Sequence, residues 1–293
     1  MKKDTTIKIG VIGVGHLGHF HLKQLKGIPN VSISGLYDSN PKRADEMSLL
    51  HNVHSYSSLD EILDKSDAVS IVTPTSKHYS VADKALNEDC NIFIEKPITD
   101  NINHAELLLN KAKKFKKIIQ VGHIERFNPA FNLLKNMDIQ PRFIEAHRLA
   151  KFNPRGNDVP VILDLMIHDL DIILSLIKSE IKNIHANGVK IVSPTVDIAN
   201  ARIEFNNGCV ANLTASRISQ KSMRKMRLFQ EKDYITIDFQ EGILEEYKVC
   251  DNLPISGKGY QVVELNGKEK KYILYRKPSV PKHDALKEEL IHF

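Results

Sequence analysis

The sequence is poor in cysteine and has no long apolar run. Its three cysteines are far apart and form no CxxC motif, which argues against a disulfide framework or a zinc site and indicates reduced cytosolic thiols. No apolar stretch is long enough to cross a bilayer, and the N-terminus leads into a predicted strand rather than a signal peptide. We therefore expect a cytoplasmic protein without a membrane partner.

A strong net charge is also absent. The chain has 41 basic and 36 acidic residues, which gives a net charge of +5. The basic clusters at residues 111–117, 221–227 and 268–271 are short and lack interleaved aromatic residues, which is typical of solvated faces and helix ends. An anionic small substrate fits this weak positive charge better than a nucleic acid does.

The chain is longer than one typical domain, and its pattern of elements changes near residue 122. Up to that point strand patterns alternate with helical patterns, which predicts an N-terminal α/β domain over residues 1–122 with a doubly wound parallel sheet of the Rossmann type. The predicted strands are residues 7–12, 31–37, 68–72, 92–94 and 118–121, and the predicted helices are residues 16–25, 41–50, 59–63, 81–87 and 102–115.

Residues 123–293 predict a second domain of the α+β class, with a largely antiparallel open sheet covered by helices on one face. Helical patterns at 127–137 and 161–177 are combined with many strand patterns, two of which flank a hairpin turn at Asn206-Asn207-Gly208. Residues 283–293 open an amphipathic helix that stops without a cap, which predicts a truncated chain. The strand patterns are residues 143–150, 181–192, 198–205, 210–217, 226–231, 234–239 and 242–248.

A glycine motif, Gly13-x-Gly15-x-x-Gly18, follows the first predicted strand directly and opens a helix. Gly13 permits a tight turn, Gly15 lets the backbone approach a pyrophosphate, and Gly18 lets helix and strand pack closely. The first helical turn, which contains His16 and Leu17, offers free N–H groups to the phosphates. A glycine-rich turn in an unrelated α/β protein is the alternative, but the flanking strand and helix favour a dinucleotide site.

Asp38 ends the second predicted strand, twenty residues after Gly18. An acid at this place accepts hydrogen bonds from the adenosine ribose hydroxyls and repels a 2′-phosphate, so NAD is the predicted cofactor. Arg43 lies five residues later and can accept a 2′-phosphate, which leaves NADP open.

Further cofactor contacts are predicted where the third strand ends. Thr73, Pro74, Thr75 and His78 follow this strand, and their hydroxyls and backbone can line the nicotinamide ribose. A simple strand-ending turn with a helix cap is the alternative.

The segment Glu95-Lys96-Pro97 follows the fourth strand. Ligands bind at the carboxyl edge of a parallel sheet, so Glu95 and Lys96 are predicted to contact the cofactor. The Lys96 ammonium can also hydrogen-bond a substrate hydroxyl and stabilise negative charge on its oxygen. On position alone, a surface lysine is the simpler interpretation.

Asp164 and His168 are spaced i, i+4 in an apolar helix, which puts both on one helix face. A neutral imidazole there can take a proton near neutral pH, and a neighbouring carboxylate raises its basicity. A partly buried histidine bonded to the aspartate is the structural alternative. A metal site is disfavoured, because His168 with Asp169 and Asp171 lacks a clear third and fourth ligand.

Candidates for substrate binding follow the last strand of the first domain. His123, Arg126 and Asn128 lie there, and Arg126 can clamp a phosphate or carboxylate bidentately. A linking turn held by a structural arginine explains this segment equally well. Basic residues also precede the Asp164 helix, where surface solvation and contact with an anionic substrate both remain open. These residues are Arg148, Lys151 and Arg155.

Together these motifs resemble the glucose-fructose oxidoreductase/inositol dehydrogenase/MocA family. The resemblance rests on GVIGVGHLG, the strand-end Asp38, TPT, EKP and the Asp-x-x-x-His helix, and it covers almost the whole chain. It implies an N-terminal Rossmann domain, a nicotinamide cofactor, and a C-terminal domain whose open sheet often forms oligomer contacts, so we expect a homodimer or homotetramer. By the same resemblance Lys96 is the EKP lysine, and Asp164 and His168 are the catalytic pair. Many members carry glycines where this chain has residues 161–163.

Within the family, GHIERFNPA and DVPVILDLMIHDLDI are most similar to the enzymes that oxidise the 3-hydroxyl of UDP-N-acetylglucosamine to a ketone. The resemblance implies that His168 is the base, Lys96 polarises the hydroxyl and Asp164 orients the pair, or that Lys96 and His168 exchange roles. Direct hydride transfer to the nicotinamide requires no metal. An inositol, a free sugar or a linear tetrapyrrole stays open as the substrate, as does a non-catalytic NAD-binding regulator.

Overall fold

The apolar runs of the first 122 residues form one five-stranded sheet in the computed structural model, which describes residues 6–153, 159–252, 260–265 and 271–293. The strand order is β2-β1-β3-β4-β5, and every neighbouring pair is parallel. The order reverses between β1 and β3, so a crevice for a ligand is expected at the carboxyl ends of these two strands. The strands are β1 (Ile7–Ile12), β2 (Val31–Tyr37), β3 (Ala68–Ile71), β4 (Asn91–Glu95) and β5 (Ile119–Gly122).

Helices cover both faces of this sheet, as predicted for a doubly wound fold. Successive strand residues point to opposite faces, so Phe93 joins one buried apolar cluster while Ile92 and Ile94 join the other. Side chains of Asn40, Ser58 and Asn101 cap three of the helices. The helices are α1 (His16–Leu25), α2 (Pro41–His51), α3 (Leu59–Asp64), α4 (Thr75–Asn87) and α5 (Ile102–Phe115).

Helix α4 begins at Thr75, six residues before the predicted start at residue 81. Its first turns expose Ser76, Lys77 and Ser80 and bury only His78, so they carry little apolar periodicity. The buried apolar face that the prediction relied on begins at Val81.

The second half of the chain contributes a nine-stranded sheet with the order β13-β14-β12-β11-β10-β6-β9-β8-β7. Neighbours are antiparallel except for β6 and β9, so the prediction of a largely antiparallel sheet is confirmed. The predicted strand patterns end at residue 248, so the last two strands in the chain were missed. The strands are β6 (Phe143–Leu149), β7 (Ile181–Val189), β8 (Ile198–Phe205), β9 (Val210–Ser216), β10 (Met223–Phe229), β11 (Asp233–Asp238), β12 (Ile243–Cys250), β13 (Gln261–Leu265) and β14 (Lys271–Arg276).

Both helical segments of this half are irregular. The helix predicted over residues 127–137 is divided into a 3-10 helix at Ile124–Phe127, α6 (Pro129–Asn132) and a second 3-10 helix at Leu133–Asn136. The division occurs because Asn128 caps a new helix whose first residue is Pro129. The segment predicted as helix 161–177 consists of a π-helix at Ile162–Met166 followed by α7 (Ile167–Leu176).

The chain forms two compact units, one made of residues up to Ile124 together with Asp284–Phe293, and the other of Glu125–His283. The sequence placed residues 283–293 in the second domain, but this segment folds with the first unit as helix α8 (Ala285–His292). Asp284 caps this helix by accepting hydrogen bonds from the Leu286 and Lys287 N–H groups. Leu290 lies in the apolar cluster of the first unit that also contains Phe93.

All three cysteines are free thiols, and two of them are buried. Burial raises the pKa of Cys90 and of Cys209 to about 11, so both stay protonated near neutral pH. Within the described ranges, no helix combines the length and apolarity needed to cross a membrane.

The packing of α8 makes a prediction about stability. Leu290 is 3% exposed and Ile291, its neighbour on the same helix, is 49% exposed. Leu290→Ala should lower the free energy of unfolding by about 2–5 kcal/mol, because it leaves a cavity in the first unit. Ile291→Ala should change it by less than about 0.5 kcal/mol. Urea denaturation of the two variants checks this, and equal effects would contradict the assignment of α8 to this core.

Candidate active site

The turn after β1 needs glycine at two positions for its own packing. Gly13 has a φ of +86°, and a Cβ there would lie 2.7 Å from the Val72 carbonyl oxygen. A Cβ on Gly18 would lie 2.1 Å from the carbonyl oxygen of Gly13. These close approaches allow α1 to start immediately beside the end of β1.

Gly15 differs from both, because no atom lies within 4 Å of the position its Cβ would take. It directly precedes α1, whose first residues His16 and Leu17 are exposed. Open space in front of a helix N-terminus is what a bound anion requires, since the first N–H groups of the helix have no partners inside it. The turn therefore fits a dinucleotide pyrophosphate at Gly15.

Asp38 lies beside this turn and is held by backbone. Its Oδ2 accepts the Val14 N–H at 2.8 Å, and its Oδ1 accepts the Asn40 N–H at 2.9 Å. The carboxylate borders a cavity of about 210 Å³ at the carboxyl ends of β1 and β3. Each carboxylate oxygen can accept further hydrogen bonds, so the arrangement fits an adenosine ribose. The cavity is lined by Ile12, Gly13, Tyr37, Asp38, Ser39, Leu59, Thr73, Pro74, Lys77 and Val81.

Arg43, the residue that left NADP open, is bonded to the glycine turn. Its Nε donates to the Val14 carbonyl at 2.9 Å and its Nη2 donates to the Gly15 carbonyl at 3.3 Å. Its Nη1 lies 3.2 Å from a Glu46 carboxylate oxygen. The guanidinium therefore supports the turn and is paired with an acid. Its N–H donors are used in these contacts, so it is poorly placed to bind a 2′-phosphate.

Of the predicted cofactor contacts after β3, two line the cavity and His78 does not. Thr73 and Pro74 line it, and Pro74 and Thr75 form the start of α4. His78 is buried instead, with Nδ1 2.7 Å from the Pro97 carbonyl oxygen and Nε2 2.9 Å from that of Thr73. The predicted cofactor contact of His78 is therefore wrong for its side chain, which links two backbone segments inside the unit.

Lys96 is the first residue after β4, half-buried at the carboxyl edge of the parallel sheet. Its peptide bond to Pro97 is cis. The Glu95 carboxylate accepts the Lys96 backbone N–H at 3.3 Å and lies 3.1 Å from His21 Nε2 on α1. The side chain of Glu95, which was predicted to bind the cofactor, is thus directed towards a histidine inside the unit. His123 is half-buried just after β5.

In the second unit, Asp164 lies in the π-helix and His168 near the start of α7, and both are half-buried. The i, i+4 argument for Asp164 and His168 assumed an α-helix, whereas a π-helix has a wider turn. Short π-helical segments occur often at functional sites. Asp164 borders a cavity of about 480 Å³ that contains two cationic residues, Lys151 and Arg217. The other residues that line it are Ala150, Phe152, Asn153, Leu165 and Ser222.

Arg126 is exposed over half of its side chain and holds Asp171 bidentately, with both N···O distances 2.6 Å. The hydrogen bonds to Asp171 raise the pKa of Arg126, so the guanidinium is always charged. An exposed bidentate arginine can still contact an anion on its open side.

Arg148 is not available to a substrate, in contrast to its prediction. Only 2% of the residue is exposed, and its guanidinium bonds Asp169 through Nε and Nη2 and Glu125 through Nη1, at 2.9–3.0 Å. Burial by itself lowers the pKa of Arg148, but the two carboxylates more than reverse this and raise it. A buried arginine between two acids is a structural element, because removing it would leave two uncompensated charges.

Asn128 is also structural. Its side chain caps α6 by accepting the Ala130 N–H at 3.0 Å, and it donates to Glu125 and to the Phe239 carbonyl oxygen at 3.1 Å. Arg155, the third predicted arginine, lies outside the described residues. Among the residues that are described, no group of three or more His, Cys, Asp or Glu side chains is arranged to hold a metal ion.

Sequence reasoning missed three residues of the candidate site. His21 lies three positions after Gly18, on the buried face of α1, and that spacing was the only signal for it. Lys77 and Arg217 line the two cavities, but nothing in their local sequence distinguishes them from surface cations.

The parallel sheet, the glycine turn and the strand-end acid define the first unit as the nucleotide-binding domain of a nicotinamide-dependent oxidoreductase. Comparison with family models agrees. Residues 7–123 match the oxidoreductase family with an NAD-binding Rossmann fold, and residues 140–244 match the GFO/IDH/MocA C-terminal domain. The chain belongs to the Gfo/Idh/MocA family of oxidoreductases, and NAD is the cofactor of its Rossmann domain.

Individual relatives extend this comparison. The chain is 41% identical over 242 residues to UDP-N-acetylglucosamine 3-dehydrogenase of Acidithiobacillus ferrooxidans, which covers 82% of this chain and 77% of that protein. A solved structure of that dehydrogenase superposes with a TM-score of 0.85, covering 97% of this chain and 86% of the other. The scyllo-inositol 2-dehydrogenase (NAD+) of Bacillus subtilis is 29% identical over 232 residues, which cover 73% of this chain and 68% of that enzyme.

The geometry around Asp38 predicts how the cofactor is selected. Asp38→Asn keeps an oxygen for the Val14 N–H but removes the negative charge that repels a 2′-phosphate. We expect the ratio of NADP to NAD affinity to rise by about tenfold or more. Calorimetric titration of each cofactor measures this ratio. Asp45→Asn on the exposed side of α2 is the control, and an unchanged ratio in the Asp38 variant would remove this residue from cofactor selection.

Proposed function

We propose that this protein is an NAD-dependent dehydrogenase that oxidises the 3-hydroxyl of UDP-N-acetylglucosamine to a ketone. The observation that carries the proposal is the 41% identity to a UDP-N-acetylglucosamine 3-dehydrogenase over 82% of this chain. The candidate catalytic residues Lys96, Asp164 and His168 support it, because ammonium, carboxylate and imidazole groups suit alcohol oxidation.

NAD supplies the hydride acceptor when bound, and the protein supplies binding and orientation. The backbone around Gly15, His16 and Leu17 would hold the pyrophosphate at the start of α1, and Asp38 would accept hydrogen bonds from the ribose hydroxyls. Thr73 and its neighbours border the same cavity. NAD is preferred over NADP because Asp38 is charged and Arg43 is bonded to the turn and to Glu46.

His168 takes the proton of the sugar hydroxyl as the general base, Asp164 orients and tunes the pair, and Lys96 stabilises the negative charge that develops on the oxygen. Lys96 as the base with His168 as the hydrogen-bond donor uses the same groups, and the two schemes differ in which residue must be neutral before reaction.

The substrate diphosphate needs cations, and two of the second unit are accessible to a ligand. Lys151 borders the cavity that contains Asp164, and Arg126 is half-exposed. Arg217 lines the same cavity but is buried, and its guanidinium donates to the Val159 carbonyl. Arg148 and Asn128 are left out of this set because both are buried in structural contacts. Arg155 and His123 remain predicted substrate ligands.

We also propose a homodimer or homotetramer in the cytoplasm. Five aromatic side chains form a row across adjacent strands of the large sheet, on the face opposite its buried core, with successive ring centroids 4.7–5.5 Å apart. A continuous aromatic row on a sheet face is typical of a surface that a partner covers. The row consists of Phe143, Phe229, Tyr234, Tyr247 and Tyr275.

An inositol is the second candidate substrate, favoured by the similarity to scyllo-inositol 2-dehydrogenase (NAD+). The lower identity of this relative makes it the weaker alternative. A regulator that binds NAD without turnover is a third possibility, against which the presence of Lys96, Asp164 and His168 argues.

The test of the function is NADH formation by the purified protein with NAD and UDP-N-acetylglucosamine. A hydrazine trap removes the ketone so that an unfavourable equilibrium does not hide turnover. N-acetylglucosamine, scyllo-inositol, myo-inositol and glucose are measured in parallel. We expect turnover with the nucleotide sugar alone; turnover with an inositol alone would move the assignment to that substrate, and NAD binding without any turnover would favour the regulator.

Two variants test the roles of the catalytic residues. Lys96→Ala and His168→Ala should each lower kcat by about 10²-fold or more, because each removes a group that acts on the reacting hydroxyl. NAD affinity should be nearly unchanged. Lys42→Ala on α2 and His185→Ala on β7 are exposed controls of the same residue types. A variant that keeps the wild-type kcat excludes its residue from the chemistry.

A further inference from the structure

A buried chain of polar side chains lies behind Lys96 in the first unit. His21 on α1 is only 1% exposed. Its Nδ1 lies 2.9 Å from Ser70 Oγ on β3, and its Nε2 lies 3.1 Å from Glu95 Oε1 at the end of β4. These hydrogen bonds thus join the helix that follows the glycine turn to β4, the strand that Lys96 directly follows.

The Glu95 carboxylate has little freedom in this arrangement. Its other oxygen accepts the backbone N–H of Lys96 at 3.3 Å. Gly122, the register partner of Glu95 on β5, lies against it, since a Cβ at Gly122 would be 3.1–3.2 Å from the carboxylate atoms. The carboxylate is therefore confined between α1 and β5 while it holds the backbone at Lys96.

The hydrogen-bonding capacity of the three side chains determines which atom donates and which accepts in each hydrogen bond. An ionised carboxylate only accepts, so His21 Nε2 must carry a proton. The Ser70 hydroxyl can then donate to Nδ1 of a neutral ring, and every group in the chain has a suitable partner. Ser70 and His21 together hold Glu95 in one orientation.

Packing alone does not require the hydrogen bonds that join Ser70, His21 and Glu95. An apolar pair would attach α1 to the sheet without the cost of taking a carboxylate and an imidazole out of water. A carboxylate that accepts the Lys96 backbone N–H gives this residue a directional contact that an apolar pair cannot supply.

We propose that Glu95, held by His21, is a positioning residue for Lys96 that fixes its backbone for the oxidation of a sugar hydroxyl. The catalytic part of this inference rests on the proposed function.

The test compares Glu95→Gln with Glu106→Gln, which removes the same charge from the exposed side of α5. The rate of Lys96 acetylation by acetic anhydride at one fixed pH, read by mass spectrometry, reports how this side chain is held without any substrate. Glutamine has a single acceptor oxygen and cannot bond both His21 and the Lys96 N–H, so the variant should label Lys96 about twofold or more faster than the wild type. It should also lower kcat about 10- to 100-fold, with the KM for NAD little changed.

His21 provides a second pair of variants, which serves if Glu95→Gln does not fold. His21→Leu removes the donor to Glu95 and should shift Lys96 labelling and kcat in the same directions. His21→Gln keeps an N–H donor at a similar reach and should reverse part of both changes. This graded recovery is expected only if the bond to Glu95 is what matters.

An unchanged labelling rate of Lys96 in Glu95→Gln would overturn the inference, whether kcat is unchanged or falls together with the melting temperature. In the latter case the chain is only a link between helix and sheet. The two proposals fail separately. If the wild-type protein oxidises no sugar but Lys96 labelling still shifts, the proposed function is wrong and the positioning of Lys96 stands. If the wild-type protein oxidises the sugar but labelling does not change in the variant, the proposed function stands and the positioning role of Glu95 is wrong.

Discussion

The contact between Gly18 and the carbonyl of Gly13 is the constraint on which the first unit depends. A side chain at Gly18 would overlap that oxygen, so only glycine lets α1 start against the end of β1. Two consequences follow from this contact. The space beside Gly15 stays open at the helix N-terminus, where a pyrophosphate fits. One turn later, His21 comes close enough to β4 to bond Glu95, so the cofactor turn and the backbone of Lys96 share one rigid helix.

The second unit depends on a buried charge cluster in a similar way. Arg148 on β6 bonds Asp169 on α7 and Glu125 in the preceding 3-10 helix. Bidentate bonds fix both the distance and the rotation of the two partners, so α7 cannot turn about its axis without breaking them. His168 is the residue before Asp169, and its direction is set by this cluster. The arginine therefore supports the candidate base without contacting a substrate.

Sequence reasoning succeeded where local patterns decide the structure and failed where long-range pairing decides it. The glycine turn and the place of Asp38 after β2 were predicted because a strand followed by glycine and an acid has few other uses, and Lys96 was placed by the apolar run before it. The roles of Asp38 and Lys96 stay predictions. The burial of Arg148 could not be predicted, because Asp169 and Glu125 lie 21 and 23 residues away along the chain. The same holds for His78, whose partners are carbonyl groups that carry no sequence signal. The unit that α8 joins depends on tertiary packing alone.

The position of α8 has a consequence for how the protein is made on the ribosome. The sheet of the first unit is complete in sequence by Gly122, yet Leu290 and Phe293 fill part of its apolar cluster. More than half of the chain is translated between these two segments. During that time the nascent first unit exposes the apolar surface that α8 later covers, and exposed surface of this kind favours aggregation until it is buried. The nucleotide-binding unit can therefore reach its final stability only after the second unit has been synthesised.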